Sequence, residues 1–276
     1  MENEKGESSS TFKMDNSAQE RSLPYVPDCY AVPPSYEPRD ALDSNSEIVP
    51  TIDISRLKSS DDERRGVIQE LSSACQRFGF FQGKNGKVLR RSEESISRDN
   101  GSDNGGLGRD NLSSRMDKNG MQVMAVNCYP PCPDPTAALG LPPHSDYSCI
   151  TILLQNLTGL EIFHPSAHGG SGRWVLVPEV KGVLKVHIGD HVEVLSNGLY
   201  KSVIHKVTLN EEKTRISLAS LHSLGMDDKM SVPYQLVNNE NPARYRESSF
   251  NDFLDFLVKN DISQGERFID TLRIKD

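Results

Sequence analysis

The 276-residue chain is short of apolar side chains, with AVILMFWYC making up 36%. Adding its 20 glycines still leaves it under the roughly 45–50% usual for soluble globular domains, so part of the chain cannot pack. It lacks any run near the roughly 18 apolar residues of a membrane helix, and no membrane partner is expected. The opening Met1-Glu-Asn-Glu-Lys-Gly-Glu7 lacks the basic start and apolar stretch of a secretory signal. A cytoplasmic protein is therefore expected, with the nucleus as a second compartment. A disulfide framework is missing too: five cysteines, at 29, 75, 128, 132 and 149, are odd in number and irregular in spacing. There is no surplus of positive charge, since 31 basic against 39 acidic residues give -8. Nucleic acid is disfavoured as a partner, because phosphate neutralisation needs an excess of Lys and Arg.

The apolar shortfall is local. Residues 1–46 are rich in Ser, Glu, Asp, Asn and Pro without either periodicity, and read as a disordered arm. Residues 83–120 hold seven glycines, fourteen charges and six apolar side chains, and read as a polar linker. Between them, 47–82 carry a β-branched strand at Ile48–Ile54 and the capping-box spacing Ser60-Asp-Asp-Glu63. Val67, Ile68, Leu71, Ala74, Cys75 and Phe78 then recur at helical intervals, which predicts a helix from about 60 to 78. Over 121–276 the texture changes to short strands: 122–128, 149–155, 160–163, 174–178, 183–188, 202–209 and 215–221. Many short strands between turn residues indicate a mainly β sandwich or barrel. A helix over Ser248–Val258, with Phe250, Phe253, Leu254, Leu257 and Val258 on one stripe, flanks it.

All seven histidines lie after residue 143. In His144-Ser-Asp146, positions i and i+2 share a face of extended chain, so an imidazole and a carboxylate can meet one ion. Taken alone the pair is weak, because a surface pair or an oriented core histidine has the same spelling. His205 lies in another expected strand, and two His with one carboxylate make the facial triad of non-haem Fe(II), which leaves three positions open. Arg215-Ile-Ser217 strengthens the metal reading. A guanidinium and a hydroxyl pointing inward from a strand are costly unless they meet an anion, such as a carboxylate gripped in bidentate fashion. Asn127-Cys-Tyr129 supplies a further polar i, i+2 pair, before Pro130-Pro-Cys-Pro133. His164 and His168 fall in a turn-rich loop and read as solvated. His187 reads as a core residue or one standing behind the ligands, and His191 and His222 as packing residues near the barrel or at the border of the substrate pocket.

Several motifs stand in order and in register: Asn127–Pro133, Gly140-Leu-Pro-Pro-His-Ser-Asp146, Leu153-Leu-Gln155, His187-Ile-Gly-Asp190, Leu195-Ser-Asn-Gly198, Tyr200–Val203, His205 and Arg215-Ile-Ser217. With them the chain resembles the plant 2-oxoglutarate- and Fe(II)-dependent dioxygenases. The likeness is strongest to the group of flavanone 3-hydroxylase, flavonol synthase, anthocyanidin synthase and the downy-mildew-resistance oxygenases. It runs over 121–276 and again over 48–82. The resemblance implies a mainly β fold with flanking helices, around a double-stranded β-helix (jelly-roll, cupin-like) core. It implies His144, Asp146 and His205 as metal ligands and catalytic centre, and Arg215 and Ser217, helped by Tyr129 and Asn127, as the hold on 2-oxoglutarate. Fe(II), 2-oxoglutarate and O2 follow as cofactor and co-substrates, with ascorbate supportive. Charges then balance: Fe(II) with one aspartate leaves +1, Arg215 adds +1, and 2-oxoglutarate brings -2. The expected reaction is hydroxylation or desaturation of a small plant metabolite, a flavonoid or related phenolic such as a flavanone.

One departure qualifies that expectation. After Gly79-Phe-Phe-Gln82, where the family has an Asn-His-Gly motif and a long helical region, only the polar stretch to Gly120 follows. The chain thus reads as a shortened member, with barrel positions left as an exposed apolar patch. The alternatives are a truncated non-catalytic remnant that binds metal or a partner protein, and a zinc hydrolase using the same three ligands.

Overall fold

The computed structural model describes residues 24–26, 49–85, 112–164, 172–260 and 265–274. Ten strands form two sheets. In chain order they are β1 (Thr51–Asp53), β2 (Phe80–Lys84), β3 (Met121–Tyr129), β4 (Leu139–His144) and β5 (Ile150–Gln155). They continue with β6 (Leu160–His164), β7 (Arg173–Leu176), β8 (Leu184–Ile188), β9 (His205–Thr208) and β10 (Arg215–Ser223). The larger sheet has the order β1-β2-β8-β5-β10-β3 and the smaller one β4-β9-β6-β7. Only β1 and β2 pair in parallel; the other pairs are antiparallel. From β3 to β6 and again from β7 to β10, successive strands alternate between the sheets, as in a jelly roll.

Three apolar clusters hold the fold. Phe80, Leu153 and Ala219 of the larger sheet meet Leu160, Ile162 and Val175 of the smaller one. Helix α1 (Asp61–Arg77) lays Val67 and Ala74 on Ile52, Phe81 and Val186, covering the outer face of β1, β2 and β8. Its start is as expected: the Ser60 hydroxyl accepts from the Glu63 amide. The third cluster gathers Tyr147, Cys149, Val194, Leu195, Met230 and Tyr245 with helices α4 (Phe250–Lys259) and α5 (Phe268–Leu272). Helix α4 begins in a full capping box between Ser249 and Asp252, just inside the expected start.

The expected linker, 83–120, is entered by structure at both ends. Strand β2 runs to Lys84, and helix α2 (Leu112–Asn119) brings Met116 against the third cluster. The rest of that linker, like the arm expected over 1–46 apart from residues 24–26, lies outside the described residues. Strand β4 was not among the expected strands: Gly140-Leu-Pro-Pro lacks alternation, and its pairing with β9 shifts register twice. His164, expected in a solvated loop, is instead buried in β6 with its ring 4.8 Å from Phe78; His168 lies outside the described residues. Cys75, Cys128, Cys132 and Cys149 are free thiols.

A short helix, α3 (Asp190–Leu195), carries Glu193 into the interior. Its carboxylate accepts from the Tyr245 hydroxyl at 2.6 Å and the Ser202 amide at 2.7 Å, and Arg273 stands 3.4 Å away. This tie fixes the loop that leads into β9.

Candidate functional site

The end of β4 and the start of β9 pair, with His144 opposite His205. Their rings lie 4.2 Å apart, and Asp146 follows β4 so that its Oδ1 is 3.8 Å from His144 Nε2 and 3.7 Å from His205 Nε2. One ligand atom from each of the three falls within 4.8 Å of the others, an arrangement able to hold a metal ion. The tautomers suit it. His144 Nδ1 meets the Pro142 carbonyl at 2.8 Å and His205 Nδ1 the Val203 carbonyl at 3.2 Å. A carbonyl can only accept, so each proton sits on Nδ1 and each Nε2 turns a lone pair to the shared point. Burial, then His144, draw His205 well below its ordinary value. Burial alone would raise the Asp146 carboxyl, but His205, His187 and His144 together hold it well below the carboxylate range. A neutral imidazole pair and an ionised carboxylate are the forms that bind metal.

A second polar group lies on the inner face of β10 and its neighbours. Register places Arg215 opposite Tyr129, and Ser217 opposite both Asn127 of β3 and Gln155 of β5. Arg215 is 1% exposed. Its Nη2 donates to Gln155 Oε1 at 2.7 Å, its Nε to the Leu157 carbonyl at 3.3 Å, and its guanidinium lies 5.1 Å from the Tyr129 ring centroid. Two glycines make the room: a Cβ on Gly159 would come 2.9 Å from Arg215 Cδ, and one on Gly140 would come 2.8 Å from Tyr129 Cδ1. Asn127 Nδ2 reaches Ser217 Oγ at 3.5 Å.

This group is polar but unbalanced. Among the described residues no carboxylate pairs with Arg215, and its buried Nη1 has no hydrogen-bond partner. Burial lowers its proton affinity, and nearby Tyr129 opposes that. A buried cation with a free donor is a socket for an anion.

The chain itself matches known proteins in the same regions. Residues 120–223 match the 2OG-Fe(II) oxygenase superfamily, and 49–97 match the region described as non-haem dioxygenase in morphine synthesis N-terminal. The chain carries a 2OG-Fe(II) oxygenase domain. Flavanone 3-dioxygenase 3 of Oryza sativa subsp. japonica is 41% identical over 169 residues, 61% of this chain and 50% of that protein. From the same plant, 2-oxoglutarate-dependent dioxygenase 21, chloroplastic, is 45% identical over 170 residues, 61% of this chain and 49% of its own. The chain spans about half the length of these relatives. Among solved structures, JOX2 in complex with 2OG, Fe and JA superposes with a TM-score of 0.65 at 24% identity, covering 85% of this chain and 90% of that one. The rice dioxygenase for auxin oxidation gives 0.60 at 22%, covering 82% and 98%. Both share the fold.

Within this oxygenase domain the geometry brings together every site residue expected from sequence, in two groups: His144, Asp146 and His205, and Asn127, Tyr129, Arg215 and Ser217. Two further residues join them. Gln155 turns its carbonyl oxygen to Arg215, and its Nε2 has no partner. His187, expected in the core or behind the ligands, stands with Nδ1 3.5 Å from Asp146 Oδ2. The hint of both was in the spacing: Gln155 closes the run Leu153-Leu-Gln155, and His187 sits three residues before Asp190 on a strand.

Proposed function

We propose that the protein is a 2-oxoglutarate- and Fe(II)-dependent dioxygenase that oxidises a small plant metabolite, a flavonoid or related phenolic. The observation that carries the reading is the pair of complementary sockets: a His-Asp-His triad for a divalent metal, and a buried Arg215 whose Nη1 has no partner, among the described residues, for a carboxylate. The residues fit both groups by the chemistry of their donors. His144 Nε2, Asp146 Oδ1 and His205 Nε2 would hold Fe(II). Arg215 and Ser217, with Tyr129 and Asn127 beside them, would hold the distal carboxylate of 2-oxoglutarate and fix its orientation. Gln155 keeps the guanidinium aimed by accepting from Nη2, which leaves Nη1 for the anion. When bound, iron, 2-oxoglutarate and dioxygen supply the oxidising chemistry, with succinate and CO2 as by-products; the protein supplies placement and exclusion of water. The flavonoid class draws on the likeness to flavanone 3-dioxygenase 3 and to the flavonol synthase/flavanone 3-hydroxylase of Eustoma exaltatum, 41% identical over 132 residues, 48% of this chain and 37% of that protein.

Purified chain given Fe(II), ascorbate and 2-oxoglutarate with a panel of flavanones and other phenolics is expected to form succinate, and His205→Ala to abolish it. Succinate formation untouched by that change would sink the assignment. A second reading is favoured by one observation. Among the described residues nothing covers the apolar outer face of β3, β10 and the end of β5, where Val126 is 67% and Met124 60% exposed. A non-catalytic chain that meets a partner protein through this face predicts apolar-dye binding and concentration-dependent association, with no turnover of any compound in the panel.

A further inference from the structure

Asp146 has two oxygens with different neighbours. Oδ1 faces the two imidazole Nε2 atoms, while Oδ2 is buried without a hydrogen-bond partner. Opposite Oδ2, at 3.5 Å, stands His187 Nδ1, and both ring nitrogens of His187 lack partners although the residue is 1% exposed. Buried polar atoms are rarely left unpaired, so two that face each other mark a contact held just beyond hydrogen-bond length. The His187 ring has little freedom to leave. It lies 5.3 Å from the Phe80 ring and edge-on to His205 at 4.5 Å, and β8 is pinned between β2 and β5 at this level by the pairs Phe80–His187 and Thr151–His187. Backbone carbonyls already orient the other two groups through Nδ1. Asp146 receives no such backbone contact on Oδ2, and His187 is the group in place to give one.

We propose that His187 is a positioning residue for Asp146: its Nδ1–H donates to Oδ2, reserves Oδ1 for the metal, and so keeps the carboxylate to a single ligand atom. The inference rests on the reading of His144, Asp146 and His205 as metal ligands. A carboxylate free to turn would offer both oxygens and take a position that the co-substrates need.

The test is Co(II) binding to the full chain, followed by its visible spectrum. His187→Phe keeps a flat ring against Phe80 but has no donor, and it is expected to weaken Co(II) binding by about 10- to 100-fold, as loss of a group that orients a ligand does. His187→Asn keeps a short donor and should restore most of that affinity and the wild-type spectrum. Wild-type affinity in His187→Phe, or an equal loss in His187→Asn, overturns the proposal. Should His187→Phe not fold, 15N-histidine spectra of the Zn(II)-loaded wild type decide: a proton on His187 Nδ1 supports the contact and its absence there overturns it. His205→Ala separates the two levels. If it binds Co(II) as well as the wild type, the metal reading itself fails; if it alone loses binding, only the role of His187 falls.

Discussion

Strand β10 turns two unlike faces to its surroundings. Inward it shows Arg215 and Ser217, both buried; outward it shows Ile216, 46% exposed, and Leu218. An antiparallel strand with one solvated face ordinarily does the reverse, apolar in and polar out. The same outer surface behaves conventionally at its other end, where α1 seals Phe81 and Val186. The contrast separates two reasons for placing a side chain. Inside, charge is retained at a cost to stability because something must be bound; outside, apolar side chains stand where a covering layer would make sense of them. Among the described residues none covers β3 and β10.

Arg215→Met probes the inner face most directly. It should weaken 2-oxoglutarate binding on the order of 100-fold, from hydrogen bonds to a charged group worth about 1.5–3 kcal/mol each. It should also leave the melting temperature of the ligand-free chain unchanged or raise it, because a desolvated, unpaired cation is removed. A fall in melting temperature with binding intact would show Arg215 to be structural. Next in size is a pH effect from another interior group. Burial pushes the Asp190 carboxyl up to about 7. Below the ordinary carboxylate value near 4 both folded and unfolded states hold the proton, and the folded state keeps the full benefit. As pH rises from there to about 7 the unfolded chain ionises first, so stability falls across that window by on the order of a few kcal/mol. Urea titrations at pH 5 and 7 should show the fall in the wild type and a flatter profile in Asp190→Asn.

Ser217→Ala is expected to cost about tenfold in 2-oxoglutarate affinity, the loss of one hydrogen bond to an anion, with calorimetry as the measurement. The smallest effect belongs to the outer face. Val126→Lys with Leu218→Lys should change unfolding free energy by about 0.5 kcal/mol per site or less, as at ordinary surface positions, while lowering apolar-dye binding. A loss of several kcal/mol would mean that the face is covered in solution.

Much of this was legible in the sequence for a physical reason. Alternation with period two shows wherever one face of a strand differs from the other, and β5, β6, β8 and β10 fall within two residues of their expected limits. Arg215 and Ser217 announce themselves because an i, i+2 polar pair on such a strand shares a face, and His144 and Asp146 because the same spacing does so at an extended strand end. Other features stayed hidden. Strand β4 is built from glycine and two prolines and has no pattern to read. Helix α3 is six residues long, too short to show a period. Gln155 and His187 act on residues far away in sequence, so their roles depend on the pairings Ser217–Gln155 and Phe80–His187, which only the register reveals.

The Glu193 tie carries a consequence in time. Its partners all follow it along the chain: Ser202 is made just after it, but Tyr245 and Arg273 only much later. A nascent chain that has cleared the ribosomal exit as far as His205 would still hold Glu193 as a carboxylate short of two of its partners. The loop ahead of His205 therefore sets only once the C-terminal part of the chain has been made.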